Sequence, residues 1–270
     1  MPALRVCFVA PLLIGAQALA ADPPRPILLA TTTSTQDSGL LDVLVPRFRA
    51  KNGVEVKVIA VGSGAAIKMA AKGDADVVLS HAPAAEDAAV AAGDLLPGRP
   101  VMHNDFVLVG PPADPAGVGA AKDLRAVLKA VATRGRFVSR GDDSGTHKLE
   151  LDLWRAAGLD LADIPRRQET GQGMGATLHI AAEKAAYTLT DRGTFLAQKD
   201  KVRLCVLFAG DPRMRNPYRV YVVNPGRHPG INESGAKAFA DFLVSSGVQR
   251  LIADFRRKEL GEPIFVPDAR

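Results

Sequence analysis

Five hydroxyl residues stand in a row at Thr31, Thr32, Thr33, Ser34 and Thr35, between an apolar run at 27–30 and a segment with helical spacing. A helix start carries unpaired N–H groups and the positive end of the helix dipole, so a strand-to-helix corner suits an anion. Hydroxyls there add donors. N-capping accounts for one or two of the five, not for the row, and a β-rich threonine stripe is the other ordinary reading. Gly62-Ser63-Gly64 repeats the arrangement, with a strand before it and a helix from Ala65. Its glycines let the backbone approach a ligand and turn N–H groups inward. The third corner, "SRGDDSGTHKLELDLW" at 139–154, is the sharpest. Arg140 offers a planar fork of donors matched to a tetrahedral oxyanion. Ser144 and Thr146 bring hydroxyls, and the Gly145 amide can face the ligand. The competing readings are a helix cap beside a solvated arginine and an adhesion triplet at Arg140-Gly141-Asp142. Three helix starts at roughly +0.5 each plus one arginine give about +2.5, ample for a dianion without a metal.

Other chemistry is weaker. Ser144 and His147 lie three apart with Asp142 and Asp143 nearby, which raises an exported serine hydrolase. A nucleophile needs its base within hydrogen-bond reach, whereas His147 projects along the helix, and no nucleophile elbow is present. The histidines at 81, 103, 147, 179 and 228 have no metal-ligand spacing, so no site for a free metal cation is expected. The glycine-rich "TGQGMGATL" at 170–178 is a weak phosphate fingerprint and reads as a cleft-lining loop or a packing contact.

The elements that must position these corners alternate. Strands are expected at 27–31, 54–61 and 75–79. Helices are expected over 40–52 (Leu40, Leu41, Leu44, Val45 and Phe48, stopped by Asn52-Gly53), 65–72 and 86–92. This βαβαβ rhythm predicts a mainly parallel sheet flanked by helices. "VMHNDFVLVGPP" reads as a strand crossing out of a first lobe. Helices at 123–133, to Gly158 and at 176–184, with short strands at 137–139 and 186–190, build a second lobe. A short helix over 191–196 follows. "VRLCVLFAG" and "RVYVVNP" are extended runs able to cross back, and two amphipathic helices over 233–246 and 248–256 close the chain. The expectation is an α/β protein of two lobes: 21–105 with 208–270, and 106–207, joined by two hinge crossings. Ligands in such sheets bind at the carboxyl ends of the strands, and a hinge of this kind permits closure.

The totals agree. Arg5, the apolar stretch 6–15 and Ala18-Leu19-Ala20 read as a secretory signal cleaved after Ala20. Cys7 would leave with it, so Cys205 could form no intrachain disulfide, a pattern compatible with a bacterial periplasm. The formal charge of +5 would fall by one with Arg5. That balance favours anions in general. With only 5% aromatic residues and no basic run, it gives no case for nucleic acid.

"TTTSTQDSGLL", "AVGSGAAIKMAAKGDADVVLSHAP", "RPVMHNDFVLVGP", "SRGDDSGTHKLELDLW", "ETGQGMGATL" and "YTLTDRGTFLA" resemble the tungstate-binding periplasmic proteins of ABC importers, over nearly all of 27–267. The resemblance implies a two-lobe periplasmic binding protein of type II, related to phosphate-binding proteins. It implies no cofactor, tungstate as ligand and a membrane permease as partner, and such carriers work as monomers. It carries Arg140, Ser144, Gly145 and Thr146 over as ligands, with Ser63 from the second corner. The first corner falls on Thr33, Ser34 and Thr35, with the register among 31–35 left open. Phosphate binders place an aspartate after the third strand to accept the proton of a protonated phosphate. His81 stands there in "LSHAP", which suits fully deprotonated tungstate, as a donor or as a structural histidine. Molybdate stays open as the alternative ligand, with sulfate and phosphate behind it.

Overall fold

The computed structural model describes residues 25–161 and 164–269. The expected signal segment 1–20 therefore lies outside the described residues. β1 (Ile27–Thr32) buries Ile27, Leu29 and Ala30 completely and passes at Thr32 into a five-residue helix, α1 (Thr33–Asp37). Gly39, at φ +78°, turns the chain into α2 (Leu40–Asn52), which buries the expected Leu40, Leu41, Leu44 and Phe48. β2 (Val56–Val61), α3 (Ser63–Lys72), β3 (Val77–Ser80) and α4 (Pro83–Ala91) complete the first rhythm. β4 (Arg99–Gly110) is the longest strand. Then come α5 (Leu124–Arg134), β5 (Phe137–Ser139), α6 (Gly145–Ala156), β6 (Arg167–Glu169), α7 (Met174–Glu183), β7 (Thr188–Asp191) and α8 (Arg192–Gln198). The return is by β8 (Cys205–Phe208) and β9 (Arg215–Val222), followed by α9 (Glu233–Val244), α10 (Ser246–Asp254), α11 (Arg257–Leu260) and β10 (Val266–Pro267).

The main sheet runs β10-β4-β9-β3-β1-β2. β1 is parallel to β2 and β3, as expected from strands joined through helices. The pairs β3–β9, β4–β9 and β4–β10 are antiparallel, so the sheet is mixed. Parallel neighbours need a crossover of a dozen residues or more, as α2 and α3 supply between β1, β2 and β3. β4 changes partners along its length. Arg99 to Asp105 pair with β9, and Phe106 to Gly110 pair with β7 and β8. β5 pairs in parallel with β6, which the sequence reading did not anticipate, and touches β7 through a Phe137–Tyr187 bridge.

There are three apolar cores among the described residues, and the largest runs through β4 to α7 and α8. The largest packs α2, α9 and α10 on the main sheet, with Phe48 edge-on to Phe239 at 5.0 Å. A smaller one lies between the main sheet and α3 and α4, around Ala66, Ala70, Val78 and Tyr221. The third, around Trp154, Phe137, Leu108 and Tyr187, holds α5 and α6 on the β7 side of β4. Burial of a Trp or Phe of this kind contributes about 2–3 kcal/mol, and these clusters are what hold the helix starts in place.

Candidate functional site

The row of hydroxyls divides in two. Thr31 donates to the Leu79 carbonyl at 2.8 Å, and Thr32 caps α1 by accepting from the Thr35 amide at 3.2 Å. Thr35 places its own hydroxyl 2.6 Å from that of Thr32. These three are buried and tie the corner together. Of the three carried over as ligands, Thr35 is thus turned inward, while Thr33 is exposed and Ser34 half-buried on the open side. Thr33 and Ser34 line a cavity of about 270 Å³ with Asn104, Arg140, Asp191, Tyr218 and the tip of α7 at Gly173 to Gly175.

Ser34 leads to the second group of residues. Its hydroxyl lies 3.3 Å from His81 Nε2, and the His81 ring rests on Tyr218 at 4.7 Å. On the far side of His81 opens a cavity of about 630 Å³ lined by Gly62, Ser63, Gly64, Ser144, Gly145 and Asn216, among others. Two helix starts meet there. A methyl placed on Gly145 would lie 3.5 Å from His81 Cε1 and 3.9 Å from Ser63 Oγ. α3 begins after Gly62 with no side-chain cap, so its first amides keep their donors for something else. Ser144 does cap α6, its Oγ accepting from the His147 amide at 3.3 Å, and retains its own proton to donate. The ordinary capping reading thus holds for Ser144 alongside the ligand reading.

Arg140 lines the smaller cavity with its side chain 14% exposed. One Nη donates to Thr146 Oγ1 at 3.5 Å, the other pairs with the Asp142 carboxylate, and its buried Nε has no partner among the described residues. The sequence reading left Asp142 out of the site. It also accepts from the Ser144 amide at 3.2 Å. Burial raises the Asp142 pKa, but the Ser144 hydrogen bonds and the Arg140 charge outweigh it and hold the carboxyl below its ordinary range. Arg140 therefore does not offer a whole positive charge, and the +2.5 expected from sequence is an overestimate. The signal was present, an aspartate two residues beyond the arginine, but spacing alone does not say which way it turns.

Burial disfavours the charged form of the histidine. Burial lowers the His81 pKa, against the opposing negative charge of Asp191 and a hydrogen bond with Asn216. Its Nδ1 is buried with no partner among the described residues. Asn104, Asn216, Tyr218 and Asp191 were also missed. Polar residues in the middle of otherwise apolar strands, as in "VMHNDFVLV", are the signal that could have marked the asparagines. His147 Nδ1 accepts from the Asp143 amide at 3.0 Å, and Ser144 Oγ accepts from the His147 backbone amide at 3.3 Å.

Two cavities lined by helix starts and, in one of them, a guanidinium define the class of solute-binding proteins. The description "PBP superfamily domain" fits residues 18–246. A tungstate-binding protein, TupA, of Peptoclostridium acidaminophilum is 46% identical over 90% of this chain and 86% of its own length. The solved tungstate-binding protein TupA of Desulfovibrio alaskensis G20 superposes with a TM-score of 0.84 at 41% identity, over 92% of this chain and all of that one. The structure of the tungstate ABC transporter from Geobacter sulfurreducens gives 0.77 at 48% identity, over 86% and 98%. The chain belongs to the PBP superfamily and, within it, to the family of the TupA proteins.

Proposed function

We propose that this protein captures tungstate in the cleft and delivers it to an ABC permease. The lobes are 21–105 with 208–270, and 106–207, and β4 and the chain back to β9 are the crossings. The observation that carries the reading is the meeting of Ser63, His81 and Gly145 from three separate corners at one place, with Asp142, the partner of Arg140, in the same lining. Thr33, Ser34, Ser63, His81, Arg140, Ser144, Gly145 and Thr146 form the ligand set, and Thr35 supports it from below. Amide and hydroxyl donors need no counterion to hold a dianion in a site that excludes water, because fixed dipoles replace its hydration shell. The ligand is the metal oxyanion itself, and no cofactor takes part. The leader is cleaved after Ala20, and the mature chain works in the periplasm as a monomer.

Titration calorimetry of the mature protein with tungstate, molybdate, sulfate and phosphate tests this. Tungstate binds tightest, molybdate competes, and phosphate at neutral pH, which carries a proton, gives no measurable heat. Equal affinity for phosphate, or no heat with any of the four, overturns the assignment.

A further inference from the structure

Behind Ser34 and His81 lies a buried polar chain that no apolar packing argument requires. Asn104 on β4 and Asn216 on β9 face each other across the crossing strands, both almost fully buried. Asn216 Nδ2 donates to Asn104 Oδ1 at 2.7 Å and to the Tyr218 phenol at 3.3 Å. The Asn104 and Ser34 side chains are the phenol's other polar neighbours. An amide nitrogen can only donate, and a phenol oxygen accepts twice and donates once. With both asparagine amides donating to it, the phenol has its acceptor sites filled and its single proton left for Ser34.

The same accounting continues outward. Ser34 Oγ has the Thr32 hydroxyl at 3.2 Å, and Thr32 Oγ1 lies 2.6 Å from Thr35 Oγ1. One proton order that satisfies these separations has Thr35 donating to Thr32, Thr32 and Tyr218 to Ser34, and Ser34 its own proton to His81 Nε2 at 3.3 Å. A neutral imidazole has one accepting and one donating nitrogen. With Nε2 accepting, the proton is on Nδ1, the buried nitrogen without a partner. That edge of the ring faces the start of α6 and Ser63.

We propose that Asn104, Asn216 and Tyr218 are positioning residues that orient the hydrogen bonds of Ser34 and His81 outward, so that His81 presents Nδ1–H to the bound oxyanion and offers it no acceptor. The inference rests on the tungstate reading of the site and extends it to selectivity. His81 then rewards a fully deprotonated oxyanion, whose oxygens only accept, and leaves the proton of a hydrogen oxyanion without a partner on this side. Burial lowers the His81 pKa and so favours the uncharged ring. The competing arrangement has Nε2–H donating to the Asn216 carbonyl and turns a lone pair of Nδ1 on the dianion.

Nitrogen-15 NMR of protein labelled at its histidine rings and loaded with tungstate decides between them. The expected His81 signal is that of a neutral ring protonated at Nδ1. A ring protonated at Nε2, or an imidazolium, overturns the proposal while leaving tungstate capture intact. If the unaltered protein shows no tungstate binding in calorimetry, the functional reading fails and the selectivity argument with it. The variant Tyr218→Phe keeps the ring under His81 and removes only the phenol. Tungstate affinity should fall by about tenfold, the scale of one hydrogen bond in a chain ending on a charge. The His81 signal should shift toward the Nε2–H form. An unchanged affinity and tautomer in Tyr218→Phe refutes the role of the chain.

Discussion

The pairing of Arg140 with Asp142 makes a quantitative demand on mutants of the anion corner. Removing one partner of a buried charge pair costs about 2–5 kcal/mol, much of it from the charge left behind. In Arg140→Ala that remaining charge is Asp142, which lines the cleft and is mostly buried. The bound dianion would then face an uncompensated carboxylate as well as lose a donor. Tungstate affinity should fall by about 30-fold to several-thousand-fold, the range those energies span. In Asp142→Asn the amide oxygen still accepts from Ser144 N and Arg140 is released to the anion, so the change is less than about tenfold in either direction. Combining the two removes both charges. A unit charge at 4 Å is worth about 1 kcal/mol in water and about 4 kcal/mol at the effective dielectric of a protein surface. The double variant should therefore bind better than Arg140→Ala by about fivefold or more. Titration calorimetry of the four proteins in one buffer measures the cycle. Additivity within about 0.5 kcal/mol would refute the coupling, since that is the behaviour of independent sites.

Two further changes test the site and its support. Gly145→Ala adds a methyl in ordinary contact with His81 and Ser63, so thermal stability should hold while tungstate affinity falls by at least about tenfold, the scale of a 1–3 kcal/mol steric penalty. Unchanged affinity would show that the anion does not reach the start of α6. Glu150, one turn beyond Thr146 on α6 and almost fully buried, has its pKa pushed up to about 7 by burial, against the opposing Ser139 hydrogen bond and Arg167 charge. Below its ordinary value of 4.5 both folded and unfolded forms are protonated. As pH rises from there to about 7 the unfolded chain releases its proton first, so the folded state loses up to about 3 kcal/mol over that window. The melting temperature of the native protein should decline between about pH 4.5 and 7 relative to Glu150→Gln, which lacks the titrating group. Parallel pH profiles would refute the burial argument.

The sequence by itself determined the α/β class and most of the element order, because periodicity and glycine stops are local. It also located three corners, because a strand end, a hydroxyl or glycine and a helix start lie within a few consecutive residues. Strand direction was less legible. β1, β2 and β3 came out parallel as read, whereas the pairings of β4, β9 and β10 depend on which distant strand lies alongside, and no local pattern encodes that. The same limit governs the site. Thr31, Thr32, Thr33, Ser34 and Thr35 look alike in a row, and only the fold turns Thr31, Thr32 and Thr35 inward and leaves Thr33 and Ser34 facing the cleft. Arg140 and Asp142 are two residues apart in the chain, yet that their side chains pair is a property of the Gly141 turn, at φ +62°, and not of the spacing. Asn104 and Asn216 meet across two strands 112 residues apart in sequence. Donors and acceptors are fixed by residue type, but which ones face each other is decided by long-range packing, and that packing sets the charge and hydrogen-bond polarity of the cleft.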